Sequence, residues 1–275
     1  MWFKSKKAVV YVILTLLAIA CMVPFYMMMV NATRNSQEIM SGFSLLPGSS
    51  LIENWEIMSG YFDIFRGLFN SLFVAGSITF LSGYFSALTA YGFAIYDFKG
   101  KNFIFTIILV LMMVPGQLGL IGFYDLISGM GLIDSYIPLI IPAIASPFVV
   151  FFLRQYLQSV LPKTIVEAAR IDGASELAIF HKIAVPIMMP GIATMSIGTF
   201  IGAWNSYILP LVVLLSPSKF TLPVMMGSLK ASTDMAANIG ATYLAIAISV
   251  LPIMIAFLFF SKHIISNISA GAVKE

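Results

Sequence analysis

The sequence predicts an all-α integral membrane protein with six transmembrane helices and both termini on the cytoplasmic side. Three observations predict it. First, the chain is 60% hydrophobic and only 10% charged, with a mean hydropathy of +0.97. A soluble domain is about half apolar and about a quarter charged, so the solvent of this chain is largely lipid. Second, its charged residues leave six long charge-free runs. Third, Lys and Arg fall unevenly between the loops that join those runs.

The runs cover residues 8–33, 67–96, 102–124, 135–153, 183–218 and 235–261. A helix rises about 1.5 Å per residue and needs about 20 apolar residues to cross the hydrocarbon core. Only helices and closed barrels satisfy the backbone in lipid, and the alternating strand segments of a barrel are absent from the sequence. The first run is too long for the apolar region of a cleaved leader and reads as a retained span. The fifth run would be about 54 Å long as a straight helix, too long for one span and too short for two. Pro186 and Pro190 near its start, and Pro210 and Pro217 near its end, place the span at about 186–211. In the third run, Pro115 and Gly116 predict a kink beside Gln117.

With the N-terminus inside, the inner segments hold eleven of the 15 Lys and Arg residues, and Arg34, Arg66, Lys219 and Lys230 are left outside. That asymmetry sets the orientation. One domain covers residues 1–275, and its largest inner loop is 161–182.

This loop gathers the ionisable groups of an otherwise apolar chain in the stretch KTIVEAARIDGASELAIFHK, residues 163–182. Pro162 suits the first turn of a helix. Gly173 suits a chain reversal, and Ser175 suits the cap of a second short helix ending near Phe180. An interfacial anchor would show a broad apolar face and a basic one. Here Glu167 and Arg170 mix acid with base beside Ala168 and Ala169, a surface suited to docking in a protein groove. A solvated loop that contacts nothing is the alternative.

EAARIDGASELAIFHKIAVP closely resembles the signature of bacterial ABC importer permeases. That pattern is E-A-A, three residues, Gly, nine residues, then I-x-L-P. It falls on Glu167, Ala168, Ala169, Gly173, Ile183, Val185 and Pro186, with Val185 in place of the usual Leu. The stretches running from GLIDSYIPL to ARIDGAS, from GTFIGAWNSYILPLVVL (198–214) and from FTLPVMMGSL (220–229) look like carbohydrate permeases of the maltose and oligosaccharide group. The likeness covers roughly residues 70–260 and is nearest to the six-span partner of the usual permease pair.

The resemblance implies the type I ABC importer fold in a bacterial inner (cytoplasmic) membrane. It also implies a second homologous permease, two cytoplasmic ATPase subunits that use ATP and Mg, and an extracytoplasmic sugar-binding protein. Glu167, Ala168, Ala169, Arg170, Asp172, Gly173, Ile183 and Pro186 would then form the coupling helix and its support, with Glu167 pairing a basic residue of the ATPase. No G-x-x-x-x-G-K-[ST] phosphate loop occurs in this chain, so another chain must supply the energy. The expected solute is a sugar, with a polyol or a glycerol-phosphate-type solute as the alternative.

No ionisable residue lies within the six runs, which argues against an ion-coupled secondary carrier. Sugars are held by aromatic faces and by amide or hydroxyl groups. Gln117, Trp204, Asn205 and Tyr207 are the candidates, although the same residue types also form interfacial belts and join helices together. In the resembled family an Asp often stands where this chain has Ser206. His181 and His263 lack the company of further metal ligands, so no metal site is expected. No nucleophile motif points to an enzyme. Cys21 reads as a buried small hydrophobe, and Gly198 with Gly202 reads as a close helix contact.

Overall fold

The computed structural model describes residues 2–61, 63–231 and 237–272, and among them every regular element is helical. In chain order these are α1 (Trp2–Ala32), α2 (Ser36–Met40), α3 (Leu51–Tyr61), α4 (Ile64–Ile95), α5 (Lys101–Leu111), α6 (Leu120–Gly129), α7 (Ile137–Ile140), α8 (Pro147–Val160), α9 (Lys163–Ile171), α10 (Glu176–Ile179), α11 (Val185–Trp204), α12 (Ile208–Val213), α13 (Leu222–Ala231) and α14 (Ile239–Ala272). Among the described residues, four stretches are long and apolar enough to cross a membrane: Val9–Ala32, Ile64–Ile95, Ile137–Val160 and Glu176–Trp204. The broken pair α5 and Gly116–Gly129, bent by 89°, makes a fifth if counted as one span. Of the sixth expected run, Ile239–Ile255 is a shorter apolar helix, and residues 235–236 lie outside the described residues, as does Lys274.

Contacts divide the chain into two compact units. The first is Met1–Arg66 with Val224–Ile253. Asn35 closes α2 with a capping box, its Oδ1 accepting from the Glu38 N–H at 2.8 Å while Glu38 Oε2 accepts from the Asn35 N–H at 3.1 Å. Asn54 of α3 is buried and donates to the carbonyls of Ala32 and Arg34, at 2.9 and 3.0 Å. Gly240 of α14 reaches the same carbonyl so closely that a Cβ there would lie 2.1 Å from the Arg34 oxygen. Along α1 the residues from Val9 to Tyr26 are exposed on every side. Cys21 is therefore exposed and not buried.

The second unit is Gly67–Pro223 with Met254–Glu275. Its main core joins Ala87, Ala90, Tyr91 and Ala94 of α4 to Val149, Leu153 and Leu157 of α8, Val166 and Ala169 of α9, and Met188 of α11. Spacings of three and four put each set on one helical face. The close approach of α8 and α11 is at Gly191, where a Cβ would lie 2.7 Å from the Tyr156 ring. At Gly198 and Gly202, the expected contact, an added Cβ would meet no other described part of the chain within 4 Å. A second core gathers Val74, Ile127, Leu139, Val213 and Leu214.

Three expected boundaries moved, each for a local reason. The kink at Pro115 and Gly116 is a full break, since the residue before a proline is driven out of the helical region. The fourth span runs past residue 153 to Val160, because Arg154 lays its guanidinium 4.0 Å over the Phe105 ring rather than ending the helix. The fifth span ends at Trp204, and a non-helical step at 205–207 precedes α12. Pro210 falls in the first turn of α12, where its missing N–H costs nothing.

Candidate coupling loop and translocation cavity

The loop at 161–182 forms the helix, break and helix that its sequence implies. Pro162 sits one residue before α9. At its end the N–H groups of Asp172, Gly173 and Ala174 donate to the carbonyls of Ala168, Arg170 and Ala169. Gly173 holds φ at +81°, a left-handed conformation that a β-branched residue resists. The Ser175 hydroxyl caps α10 by accepting from the Ala178 N–H. The second helix does not stop near Phe180. It passes through a π-helical turn, Phe180–Ala184, and continues as α11. The wider turn lies just before Pro186, whose ring would crowd the preceding carbonyls of a regular helix.

The structure sorts the expected coupling residues into two groups. Glu167, Ala168 and Asp172 are exposed, and Ile171 beside them is 86% exposed. Residues 167, 168, 171 and 172 share one face by helical spacing. Pro186 is exposed too, beyond the π-helical turn. Ala169 is buried with Val166 in the main core, and Ile183 packs against that core, so these two support the loop rather than present it.

Arg170 is committed within the chain. Its Nε donates to Glu176 Oε1 at 2.6 Å, its Nη2 donates to Oε2 at 3.3 Å, and its guanidinium lies over the Tyr96 ring. The hydrogen bond to Glu176 is the main reason its pKa rises above the ordinary value. The hydroxyls of Tyr96 and Tyr91 also donate to Glu176 Oε2. Sequence reasoning missed Glu176, Tyr91 and Tyr96. Their only signal was tyrosines at 84, 91 and 96 near the end of an apolar run. His181 Nδ1 lies 2.7 Å from the Leu177 carbonyl, which can only accept, so that nitrogen carries the proton. The Tyr84 hydroxyl then donates to Nε2, at 3.1 Å.

A cavity of about 820 Å³ brings together Gln117, Asn205 and Tyr207 with Ser206, between Phe123 and Leu139. The two breaks in the helices create it: the 3-10 turn after Pro115 supplies Gln117, and the step before α12 supplies the other three. Among the residues lining it there is no Asp, Glu, Lys, Arg or His. Trp204, the fourth candidate, is elsewhere. It is buried and stacks on Phe200, with ring centroids 5.8 Å apart.

Asp134, which the sequence did not single out, ties the turn before α7 to the segment after α12. It sits in the turn between α6 and α7 at a φ of +59°, a region that Asp tolerates. Its carboxylate accepts from the N–H groups of Leu215 and Ser216, the Ser216 hydroxyl and the Lys219 ammonium, at 2.6–3.0 Å. Its own N–H donates to the Val213 carbonyl. These bonds, led by that of the Ser216 hydroxyl, hold its pKa well below the usual carboxylate range.

Comparison with known proteins places this arrangement. Residues 80–269 match the family described as binding-protein-dependent transport system inner membrane component. The chain is 35% identical over 263 residues to the arabinooligosaccharides transport system permease protein AraQ of Bacillus subtilis (strain 168), covering 94% of this chain and 92% of that one. It is 28% identical to the diacetylchitobiose uptake system permease protein NgcG of Streptomyces coelicolor, with 97% and 89% covered. A crystal structure of a bacterial ABC transporter involved in the import of the acidic polysaccharide alginate contains a chain of the same fold, at a TM-score of 0.81 and 22% identity, with 93% of this chain and 95% of that chain covered. The chain belongs to the family of inner membrane components of binding-protein-dependent transport systems.

Proposed function

We propose that this chain is one half of the translocation path of an ATP-driven ABC importer for a sugar, an oligosaccharide in particular. The carrying observation is the cavity that gathers Gln117, Asn205, Ser206 and Tyr207. Two amides, the hydroxyls of Ser206 and Tyr207 and the rings of Phe123 and Tyr207 suit a neutral polyhydroxylated solute. The lack of a Lys, Arg or His in the cavity lining disfavours a glycerol phosphate, which would call for a cation. The names of the relatives, AraQ and NgcG among them, support the same solute class.

In this reading residues 1–275 form one permease domain with six spans and cytoplasmic termini, in a bacterial cytoplasmic membrane. A second homologous permease completes the path, and an extracytoplasmic binding protein delivers the solute. The chain is a transport subunit and not an enzyme; ATP and Mg are used by a cytoplasmic ATPase dimer. The exposed face of Glu167, Ala168, Ile171 and Asp172 docks on one ATPase subunit, with Glu167 meeting a basic partner residue. Gly173 makes the turn, while Ala169, Arg170, Ile183 and Pro186 hold the loop on its helices.

The test is uptake of arabinotriose and of diacetylchitobiose by vesicles carrying the whole transporter. For the sugar that is imported, Gln117→Leu and Asn205→Leu should each raise the half-saturating concentration about tenfold, the loss of roughly one net hydrogen bond of 1–1.5 kcal/mol. Trp204→Phe should change it little, because Trp204 lies outside the cavity. Unchanged uptake in both leucine variants would remove the cavity from the path.

A further inference from the structure

We propose that Glu176 is a positioning residue that makes α4 a second lever of the transport stroke. The inference rests on the reading of 161–182 as the coupling loop. Chain continuity already ties that loop to α11 through the π-helical turn. What continuity does not supply is a tie to α4, which is 80 residues away from Glu176 at Tyr96. The side chains supply it at two points. Below, the Glu176 carboxylate gathers the Arg170 guanidinium from α9 and the hydroxyls of Tyr96 and Tyr91 from the end of α4. Above, Tyr84 of α4 donates to His181 in the π-helical turn. Tyr84 and Tyr91 are seven residues apart and so lie on one face of α4.

Between the two ties the contact is filled. Phe180 is buried, its ring centroid 5.5 Å from that of Tyr91 and 6.1 Å from that of Tyr84. The carboxylate takes four bonds, one at Oε1 and three at Oε2, from donors on α9 and at the end of α4. Most of its acceptor capacity is spent within the chain, while Arg170 uses two of its five N–H donors there. The loop and the inner end of α4 form one body, and a push on the exposed face of α9 reaches α4 together with α11. Tyr91 and Tyr96 both donate to this carboxylate, so its loss removes the lower tie and leaves α4 held to the loop by the Phe180 packing and the Tyr84 bond.

The experiment uses the assembled transporter, with spin labels at Lys99→Cys and Thr164→Cys in a Cys21→Ser background. The distance is read nucleotide-free and trapped with ATP and vanadate. Without the substitution at 176, one narrow distance distribution should persist unshifted in both states. With Glu176→Gln it should broaden or shift on trapping while the ATPase still co-purifies. The reversed pair Arg170→Glu with Glu176→Arg should restore part of the narrow distribution. A distance that already changes on trapping with Glu176 in place would overturn the proposal. So would a Glu176→Gln distribution that stays narrow, or one whose ATPase no longer co-purifies. If instead Glu167→Lys leaves ATPase binding intact, the docking reading fails on its own, whatever the labels show.

Discussion

Glu167 and Glu176 stand nine residues apart in one loop, and their surroundings give them different work. Glu167 is exposed and faces outward beside Ile171, whereas Glu176 is tied to Arg170 and to two tyrosines. Reversing the charge in Glu167→Lys should leave the chain folded and inserted but release the ATPase, read as loss of co-purification and of ATP-driven uptake. Asp134 carries a pH dependence. Its carboxyl is held below its ordinary pKa by hydrogen bonds, so it stabilises the 213–219 loop at any pH above that ordinary value of about 3.9. The stabilisation is lost as the pH falls below that value toward the depressed one. Hydrogen-exchange protection factors at the Leu215 and Ser216 amides should fall over that acid range, and Asp134→Asn should flatten the change.

At the scale of elements, the helices were legible where hydropathy and glycine chemistry act locally. The runs at 8–33 and 67–96, the left-handed turn at Gly173 and the cap at Ser175 follow from residue type and spacing. The step at 205–207 did not, because it sits inside an unbroken apolar run where composition gives no boundary, and the π-helical turn did not, because His181 and Lys182 read as the end of a polar loop. Arg170 looked free for a partner because its acid lies six residues away across a chain reversal, and only the geometry of the turn brings the two together. The glycine contacts were misplaced for a similar reason. Spacing favoured Gly198 and Gly202, while the fold uses Gly191 and Gly240. Gly240→Ala would set a methyl group against the Arg34 carbonyl, a backbone atom that cannot move aside. It should lower the melting temperature of the purified chain, with a cost of about 1–3 kcal/mol for such overpacking.

At the scale of the molecule, the two helix breaks account for the cavity. Three of the four sugar candidates converge on one space although they come from runs some 90 residues apart. Their types were legible in the sequence, but Trp204 shared the type without sharing the place. Its aromatic ring is used within the chain, stacked on Phe200. Exposed α1 and the exposed face of α9 each leave apolar side chains uncovered by this chain, as expected of a subunit that meets lipid and other chains.

The most direct measurement is a gentle purification of this chain from its native membrane, with ATP-dependent uptake assayed in vesicles made from the same material. The account predicts that a second permease and an ATPase come with it, and that uptake stops when ATP is withheld. A chain that purifies alone and still moves solute without ATP would contradict it.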